Sequence, residues 1–226
     1  MRTGARWRPR SSLPEAIPTR SRYPDGVSLR IIVPHRGLEA AKTRLASSLS
    51  PDERMFLASQ LLQRVLRVSH EVTDDVVVIT PSRALREIVE PSGTRLVVQR
   101  GMGLNEGLEQ ARFDAVVEDV ELMAVLHGDL PNLRADDIVT LARALPSDGS
   151  PGVAIAPDRA GTGTNGLVLR PPGVIPFRFG TGSFARHVAE VEQAGVPLVA
   201  VNRAGLAFDL DTPEDLARWL ELGDAA

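Results

Sequence analysis

The sequence of 226 residues contains no cysteine, which limits the chemistry that it can carry. Disulfide bonds, thiolate zinc sites and a cysteine nucleophile are excluded, and the composition fits a reducing cytoplasm. No apolar run approaches the ~18 residues of a membrane span, so no such span is predicted. The formal net charge is only -3 at pH 7. No strong field of one sign therefore favours binding to nucleic acid or to an anionic membrane.

Two common nucleotide-binding signatures are also missing. No Walker-type GKS or GKT occurs, and the GMGLNEG segment at 101–107 lacks the third glycine of a Rossmann fingerprint at the required spacing. A glycine turn ahead of a helix can still hold an anion or a base edge at the helix N-terminus. Gly103 and Asn105 are therefore the candidate nucleotide-binding residues, although the segment alone is a weak signal.

Short apolar segments alternate with amphipathic ones from residue 28 onward, which is typical of an open α/β sheet. The pattern predicts strands at 28–34, 75–80, 94–99, 121–127, 152–158, 165–170 and 197–202. It predicts helices at 50–70, 82–90, 103–119, 135–145, 182–195 and 212–222. The sheet should be mostly parallel. An antiparallel insertion is expected in the second half, because no helix separates the two strands within 152–170.

The first 27 residues differ from the rest of the chain. They are rich in arginine and proline, and they lack apolar periodicity and the apolar segment of a secretory signal. Residues 1–27 are therefore predicted to be a disordered or loosely attached extension, and residues 28–226 to form one domain.

Acidic residues follow the predicted strands at the edge where open α/β sheets bind ligands. Asp129 follows the strand at 121–127, and Asp209 and Asp211 have a D-x-D spacing that lets both carboxylates face one ligand in an extended segment. Carboxylates from separate parts of the chain suit a Mg²⁺ ion that also binds substrate phosphates. The alternative is that Asp129 and Asp211 are ordinary turn residues.

A basic segment follows the first strand. Arg36, Lys42 and Arg44 are the candidate catalytic residues, because cations at this edge can neutralise a triphosphate or a leaving pyrophosphate. The alternative is a solvated charged loop.

Two glycine-rich segments, APDRAGTGTNGLVLR at 156–170 and RFGTGSF at 178–184, complete the predicted edge. Glycines let the backbone approach a ligand, and neutral hydroxyl groups such as those of Thr164 and Ser183 can bind an anion without adding charge. The two segments therefore predict a pocket for a small anionic acceptor, with two flexible turns as the alternative.

Six blocks in this order, AAKTRL, GLNEGL, GDLP, DRAGTGTNGLVL, FRFGTGSFARH and DLDTPEDL, resemble the guanylyltransferases of coenzyme F-420 biosynthesis. The resemblance covers about residues 29–222. That family joins GMP to 2-phospho-L-lactate or, in bacteria, to phosphoenolpyruvate. The resemblance implies one nucleotidyltransferase-like (Rossmann-like) α/β domain with helices on both faces of the sheet, GTP as a substrate and Mg²⁺ as the cofactor.

The resemblance also implies roles for five residues. Asp129 and Asp209 match the metal-binding acids, and Thr164, Gly180 and Ser183 match the groups that bind the phosphorylated three-carbon acid. It further implies a cytoplasmic enzyme and, as a candidate protein partner, a downstream transferase of the same pathway. A homodimer is left open.

The sequence departs from the family pattern at two positions near the predicted edge. Arg36 stands where a lysine is usual, which keeps the charge but changes its geometry. His127 stands where family members often have an uncharged residue, and we interpret it as filling the end of a strand rather than as a base.

The expected activity is guanylyl transfer from GTP to phosphoenolpyruvate. The same reaction with 2-phospho-L-lactate or 3-phosphoglycerate, a sugar-phosphate nucleotidyltransferase and a non-catalytic nucleotide-sensing module remain alternatives. A large separation between Asp129 and Asp209 would favour the sensing module.

Overall fold

Seven strands form one sheet in the computed structural model, which describes residues 26–101 and 103–224. The strands are β1 (Leu29–Pro34), β2 (Val76–Thr80), β3 (Arg95–Val98), β4 (Leu122–Leu126), β5 (Gly152–Pro157), β6 (Thr164–Arg170) and β7 (Leu198–Ala200). Each lies within two residues of its predicted bounds, so all seven strand predictions are confirmed. The predicted extension falls mainly on residues 1–25, which lie outside the described residues.

One strand of the sheet runs against its neighbours. The order is β3-β2-β1-β4-β6-β5-β7, and β6 pairs antiparallel with both β4 and β5, whereas the other four pairings are parallel. The predicted mostly parallel sheet and its antiparallel insertion are therefore confirmed. Because β6 is reversed, its first residues lie at the edge where β4 and β5 end: Thr164 is opposite Pro157, and Gly166 is opposite Leu126.

The helices largely follow the predicted segments. They are α1 (Pro51–His70), α2 (Arg86–Val89), α3 (Leu104–Val117), α4 (Ala135–Arg143), α5 (Ser183–Ala194), α6 (Ala204–Ala207) and α7 (Pro213–Asp224). A capping box fixes the start of α1, where Ser50 and Glu53 exchange hydrogen bonds between side chain and backbone. The short helix α6 and a 3₁₀ turn at Thr43–Leu45 were not predicted, because a single turn is too short to show helical periodicity.

Helices cover both faces of the sheet, as predicted. On β1, Ile31 and Val33 face one layer and pack in the same core as Leu62 of α1. Ile32 points the opposite way and packs in the core that contains Leu108 of α3. This alternation is what a strand buried on both faces requires, and each buried side chain of this size contributes ~1.5–3 kcal/mol.

None of the described helices is both long enough and apolar enough to cross a bilayer.

Candidate active site

Lys42 lies between two carboxylates at the carboxyl edge of the sheet. Its Nζ donates to Oδ2 of Asp129 at 2.6 Å and to Oδ1 of Asp211 at 2.9 Å. The lysine side chain is only 6% exposed. Burial disfavours the charged ammonium group, but the two carboxylates outweigh burial and raise the pKa of Lys42 above its ordinary value. Lys42 is therefore a buried cation that stays protonated.

The backbone at Lys42 has an unusual conformation. Its φ of 54° and ψ of 34° lie in the left-handed region, which is uncommon for residues other than glycine and costs of order 1 kcal/mol or more. The 3₁₀ turn that follows is anchored by Leu45, which is buried in a cluster with Leu57 and Leu61 of α1 and with Leu210. Packing of this turn thus holds the lysine in a strained position, a feature that often marks functional sites.

Asp129 and Asp209 lie close together although 80 positions separate them. The backbone N–H of Leu210 donates to the carbonyl of Asp129 at 3.1 Å, which ties the two segments to each other. The charge of Asp129 also reaches Asp209: burial first, and then the neighbouring Asp129 carboxylate, raise the pKa of Asp209 above its usual range. The separation that would have favoured a sensing module is therefore not found.

The two acids differ in their hydrogen bonding. Burial of Asp129 opposes ionisation, but the charge of Lys42 outweighs it, and the pKa of Asp129 lies below its ordinary value. Its Oδ1 atom is buried and has no hydrogen-bond partner among the described residues. Oδ1 of Asp209 accepts from Nδ2 of Asn165 at 3.2 Å. An unpartnered buried carboxylate oxygen beside a second acid is an arrangement that suits a cation.

Asp211 has a different environment from the other two acids. It accepts from Lys42, and its Oδ2 lies 3.7 Å from the guanidinium of Arg44, whose side chain is 74% exposed. Within the described parts of the chain, no group of three or more His, Asp or Glu side chains is arranged to hold a metal ion. The acids thus fit Mg²⁺ bound by one or two carboxylates together with substrate phosphates, rather than an all-protein cage.

The three predicted cations occupy different environments. Lys42 is buried between the acids, whereas Arg44 extends from the turn to the surface. Arg36 is exposed just after β1 and makes no hydrogen bond or ion pair with any described residue. Positive charge is therefore present both between the buried carboxylates, on Lys42, and at the surface, on Arg36 and Arg44.

The glycine-rich segment between β5 and β6 is held by Asp158. Oδ1 of Asp158 accepts from the backbone N–H of Thr162 at 2.8 Å, and the hydroxyl of Thr162 lies 3.4 Å from Oδ2. A Cβ on Gly163 would lie 2.7 Å from the same oxygen, so a larger residue at this position would displace the Asp158 carboxylate. The loop is thus a fixed turn, and the Thr162 hydroxyl already has a partner within it.

Thr164 and His187 form a buried pair beside this loop. The threonine Oγ1 lies 3.1 Å from Nδ1 of His187, and the backbone N–H of Arg178 donates to Nε2 of the same ring at 3.0 Å. Both side chains are at most 1% exposed. Burial, followed by the charge of Arg186, lowers the pKa of His187 to about 4, so the imidazole is neutral near pH 7.

The second glycine-rich segment joins the first at the start of α5. Gly180 has a φ of +113°, which side chains rarely adopt, and its carbonyl accepts from the backbone N–H of Ser183 at 3.0 Å. The N–H of Phe184 donates to the carbonyl of Thr162 at 3.1 Å. The structure therefore brings Thr164, Gly180 and Ser183 into one region at a helix N-terminus, as the sequence predicts.

The predicted nucleotide-binding residues lie next to this second loop. Asn105 donates from Nδ2 to the carbonyl of Phe179 at 3.1 Å, and its Oδ1 accepts from the Phe179 N–H at 2.9 Å. Its amide is thus committed to the loop that carries Gly180. Gly103 is the residue before α3, and its N–H faces the Glu106 carboxylate at 3.3 Å. Nucleotide contacts by Gly103 and Asn105 remain a prediction.

Asn165 and His187 are contributors whose roles were missed at the sequence level. The amide of Asn165 has two partners, since Nδ2 donates to the carbonyl of Leu206 at 3.0 Å as well as to Asp209. His187 belongs to the quoted FARH segment, yet no role was assigned to it. His127, expected to fill a strand end, lies with its ring 5.6 Å from that of Phe179 and has a buried, unpartnered Nε2.

Comparison with known proteins gives one consistent family. The family model described as "Guanylyl transferase CofC like" matches residues 29–225. A phosphoenolpyruvate guanylyltransferase from Sphaerobacter thermophilus is 42% identical over 187 residues, covering 82% of this chain and 89% of that protein. A 2-phospho-L-lactate guanylyltransferase from Methanothermobacter thermautotrophicus is 31% identical, with 85% and 84% covered.

Solved structures agree with the fold. A protein from Desulfovibrio desulfuricans G20 described as a nucleotide-diphospho-sugar transferase superimposes with a TM-score of 0.71 at 19% identity, covering 87% of this chain and 88% of that chain. At this identity the likeness concerns the fold alone, which is the predicted single-domain nucleotidyltransferase-like architecture.

Proposed function

The chain belongs to the CofC-like guanylyl transferase family, and we propose that it transfers GMP from GTP to phosphoenolpyruvate. The products would be enolpyruvyl-diphospho-guanosine and pyrophosphate. The proposal rests on one observation: a charged and an uncharged group of side chains lie next to each other at the carboxyl edge of the sheet. Lys42 and the acids form the charged pocket. We call the region around Thr164 the neutral pocket because its threonine, serine and imidazole side chains are uncharged, although the Arg186 guanidinium lies beside Gly180. The consecutive residues Thr164 and Asn165 join the two pockets, since one contacts His187 and the other contacts Asp209.

Asp129 and Asp209 are the residues that would hold Mg²⁺ in this proposal. The free Oδ1 of Asp129 and the raised pKa of Asp209 both describe carboxylates that a divalent cation would stabilise. When bound, the ion would neutralise charge on the nucleotide phosphates. Asp211 serves instead as the partner of Lys42 and Arg44, and it keeps the ammonium group oriented beside the metal-binding acids.

The cations would balance the charge of the triphosphate and of the leaving group. Lys42 holds a fixed positive charge beside Asp129, and Arg36 and Arg44 are exposed at the same edge. Because the charge of Lys42 is fixed in place before the reaction, it needs little reorganisation as negative charge builds on the pyrophosphate.

No general base is needed for this reaction. A phosphate oxygen of the acceptor is already anionic near neutral pH, and it attacks the α-phosphorus of GTP in line. A new P–O bond forms to the acceptor while the bond to the β-phosphate oxygen breaks, and pyrophosphate leaves with the electron pair. The work of the chain is therefore positioning and charge neutralisation, which can supply most of the barrier reduction in such transfers.

The neutral pocket suits a compact anion. Thr164, Gly180 and Ser183 would bind the carboxylate and phosphate of the acceptor through hydroxyl and backbone N–H groups at the start of α5. Phosphoenolpyruvate is preferred over 2-phospho-L-lactate because the relative named for phosphoenolpyruvate is more similar, at 42% against 31% identity. We place the reaction in coenzyme F-420 biosynthesis in the cytoplasm, with a downstream transferase as the consumer of the product.

The proposal is tested by incubating the protein with GTP, Mg²⁺ and one acceptor at a time. The acceptors are phosphoenolpyruvate, 2-phospho-L-lactate, 3-phosphoglycerate and a hexose 1-phosphate, and the readouts are pyrophosphate release and the product mass. Phosphoenolpyruvate should give the guanylylated product at the highest rate, and Asp129→Asn should give none above background. Transfer to the hexose 1-phosphate alone would identify a sugar nucleotidyltransferase. Binding of GTP without transfer to any acceptor would contradict an enzymatic role.

A further inference from the structure

His187 is completely buried, and its two ring nitrogens face groups of different kinds. Nε2 lies 3.0 Å from the backbone nitrogen of Arg178, and Nδ1 lies 3.1 Å from the hydroxyl oxygen of Thr164. The ring is further held by Phe179, whose own ring meets it edge-on with centroids 4.8 Å apart.

These contacts determine where the ring carries its proton. A backbone N–H can only donate, so Nε2 must offer a lone pair to Arg178. A neutral imidazole that accepts at Nε2 carries its proton on Nδ1. Nδ1 therefore presents N–H to Thr164, whose oxygen must accept.

The hydroxyl proton of Thr164 is consequently directed elsewhere. Thr164 is 1% exposed, and its hydroxyl has no hydrogen-bond partner other than His187 within 26–101 and 103–224. A buried hydroxyl donor without an acceptor is unfavourable, and natural proteins seldom keep one without a reason. A ligand oxygen in the neutral pocket would satisfy it.

We propose that His187 is a positioning residue that fixes the Thr164 hydroxyl as a hydrogen-bond donor to the acceptor substrate. The inference rests on the proposed function and adds a rule of selectivity. The Thr164 proton cannot be directed at His187 and has no other acceptor among the described residues, so an acceptor oxygen of the ligand, such as a carboxylate or phosphate oxygen, is the group that satisfies it. Because the ring is neutral, this orientation is achieved without adding a charge to the pocket.

Two substitutions separate this role from simple support of the loop. Asparagine carries its amide nitrogen at the δ position and can still donate to Thr164, whereas glutamine places its amide at the ε position and can still accept from Arg178. We expect His187→Gln to raise the KM for phosphoenolpyruvate roughly tenfold, the loss typical of a hydrogen bond to a charged group. His187→Asn should stay within about threefold of the parent, and the KM for GTP should change little in either variant.

In a Thr164→Val background, His187→Gln should have little further effect, because the hydroxyl that it orients is gone. A larger loss for His187→Asn than for His187→Gln, or equal losses that persist in the Thr164→Val background, would show that His187 only supports the loop and would overturn the proposal.

The proton position can be measured without any activity. Nitrogen-15 NMR of the unsubstituted protein should show a neutral His187 ring with the proton on Nδ1. A proton on Nε2 or a charged ring near pH 7 would overturn the inference even if both variants failed to fold. If the protein forms no guanylylated product with any phosphorylated acid while the Nδ1 proton is found, the proposed function fails and the orientation of Thr164 stands.

Discussion

The charged and neutral pockets at the edge of the sheet respond to burial in opposite ways. In the charged pocket, Lys42 and Asp129 stay ionised because each is the other's counter-charge, and their pKa values move apart. In the neutral pocket, His187 has no counter-charge in hydrogen-bond contact among the described residues, and burial lowers its pKa to about 4. Depth alone does not decide the charge of a site; the presence of a partner of opposite sign does.

Asp209 stands between these two cases. Burial raises the pKa of Asp209 and the nearby Asp129 carboxylate raises it further, while the hydrogen bond from its neutral partner Asn165 offsets only part of this rise. In the metal-free protein, the surroundings of Asp209 therefore disfavour its charged form, whereas those of Lys42 favour its charged form.

The largest expected effect follows from removing one carboxylate charge in the charged pocket. Asp129→Asn and Asp209→Asn should each lower kcat by orders of magnitude, because each removes a charge from the proposed Mg²⁺ ligands and leaves the apolar core intact. Steady-state kinetics measures kcat for each variant, and circular dichroism serves as the folding control. Near-normal turnover in both variants would rule out the shared metal site.

In the neutral pocket, the largest expected effect comes from Gly180. Gly180→Val should abolish acceptor binding and preserve binding of Mg²⁺–GTP, because φ is +113° and the new Cβ would lie 3.2 Å from the Arg186 guanidinium. Isothermal titration with each substrate measures the two affinities. Gly173→Val is the matched control, since a Cβ there meets nothing within 4 Å. Loss of GTP binding with the acceptor retained would assign the loop to the nucleotide.

A smaller effect is expected for the Thr164 hydroxyl. Thr164→Val keeps the volume but deletes the donor, which costs ~1.5–3 kcal/mol if the bond is to a charged group. kcat/KM for the acceptor should therefore fall roughly ten- to hundredfold, with GTP affinity nearly unchanged. Thr162→Val is the control, since that hydroxyl is directed at Asp158 and should matter less. Equal losses in both variants would remove the special role of Thr164.

The smallest expected effect is on thermal stability, and it should have opposite signs for substitutions of Asp209 and Asp129. The raised pKa of Asp209 means that ionisation is less favourable in the folded protein, so this group costs stability above its unfolded pKa of ~4. Asp209→Asn should therefore raise the metal-free Tm at pH 7, by about 2–4 °C for each kcal/mol relieved. The gain should vanish as the pH falls below ~4, where both states are protonated.

Asp129→Asn should have the opposite sign, because the lowered pKa of Asp129 stabilises the fold above ~4 and this contribution is lost as the pH falls. Differential scanning calorimetry without Mg²⁺ measures the Tm of both variants and of the parent protein. The same sign of change for both variants would contradict the electrostatic contrast.

The strands and the edge of the sheet could be predicted from the sequence because their signals are local. The runs at β1, β2 and β4 are short, apolar and bounded by polar turns, and Gly128 and Asp129 stand just after the end of β4. The rule that open sheets bind ligands at their carboxyl ends then indicated the site. The family resemblance added GTP and the identity of the acceptor, which no local pattern specifies.

The partners of each side chain could not be predicted in the same way. Lys42 was grouped with Arg36 and Arg44 as one basic loop, yet it bonds Asp211, which is 169 positions away. Asn165 bonds Asp209 across 44 positions, and Thr164 meets His187 across 23. Such pairings depend on the strand order and on the reversal of β6, so they become visible only when the fold is known.

The reversed strand β6 sets a practical limit for anyone who redesigns the acceptor preference. Thr164 and Asn165 are neighbours on one extended segment, and their side chains serve different pockets. An insertion or deletion of one residue there would exchange the two directions, because the side-chain period of a strand is 2. Libraries that aim at new acceptors should therefore leave β6 unchanged and vary the loop from 178 to 182, whose hydrogen bonds and ion pairs with described residues do not include Asp129, Asp209 or Asp211.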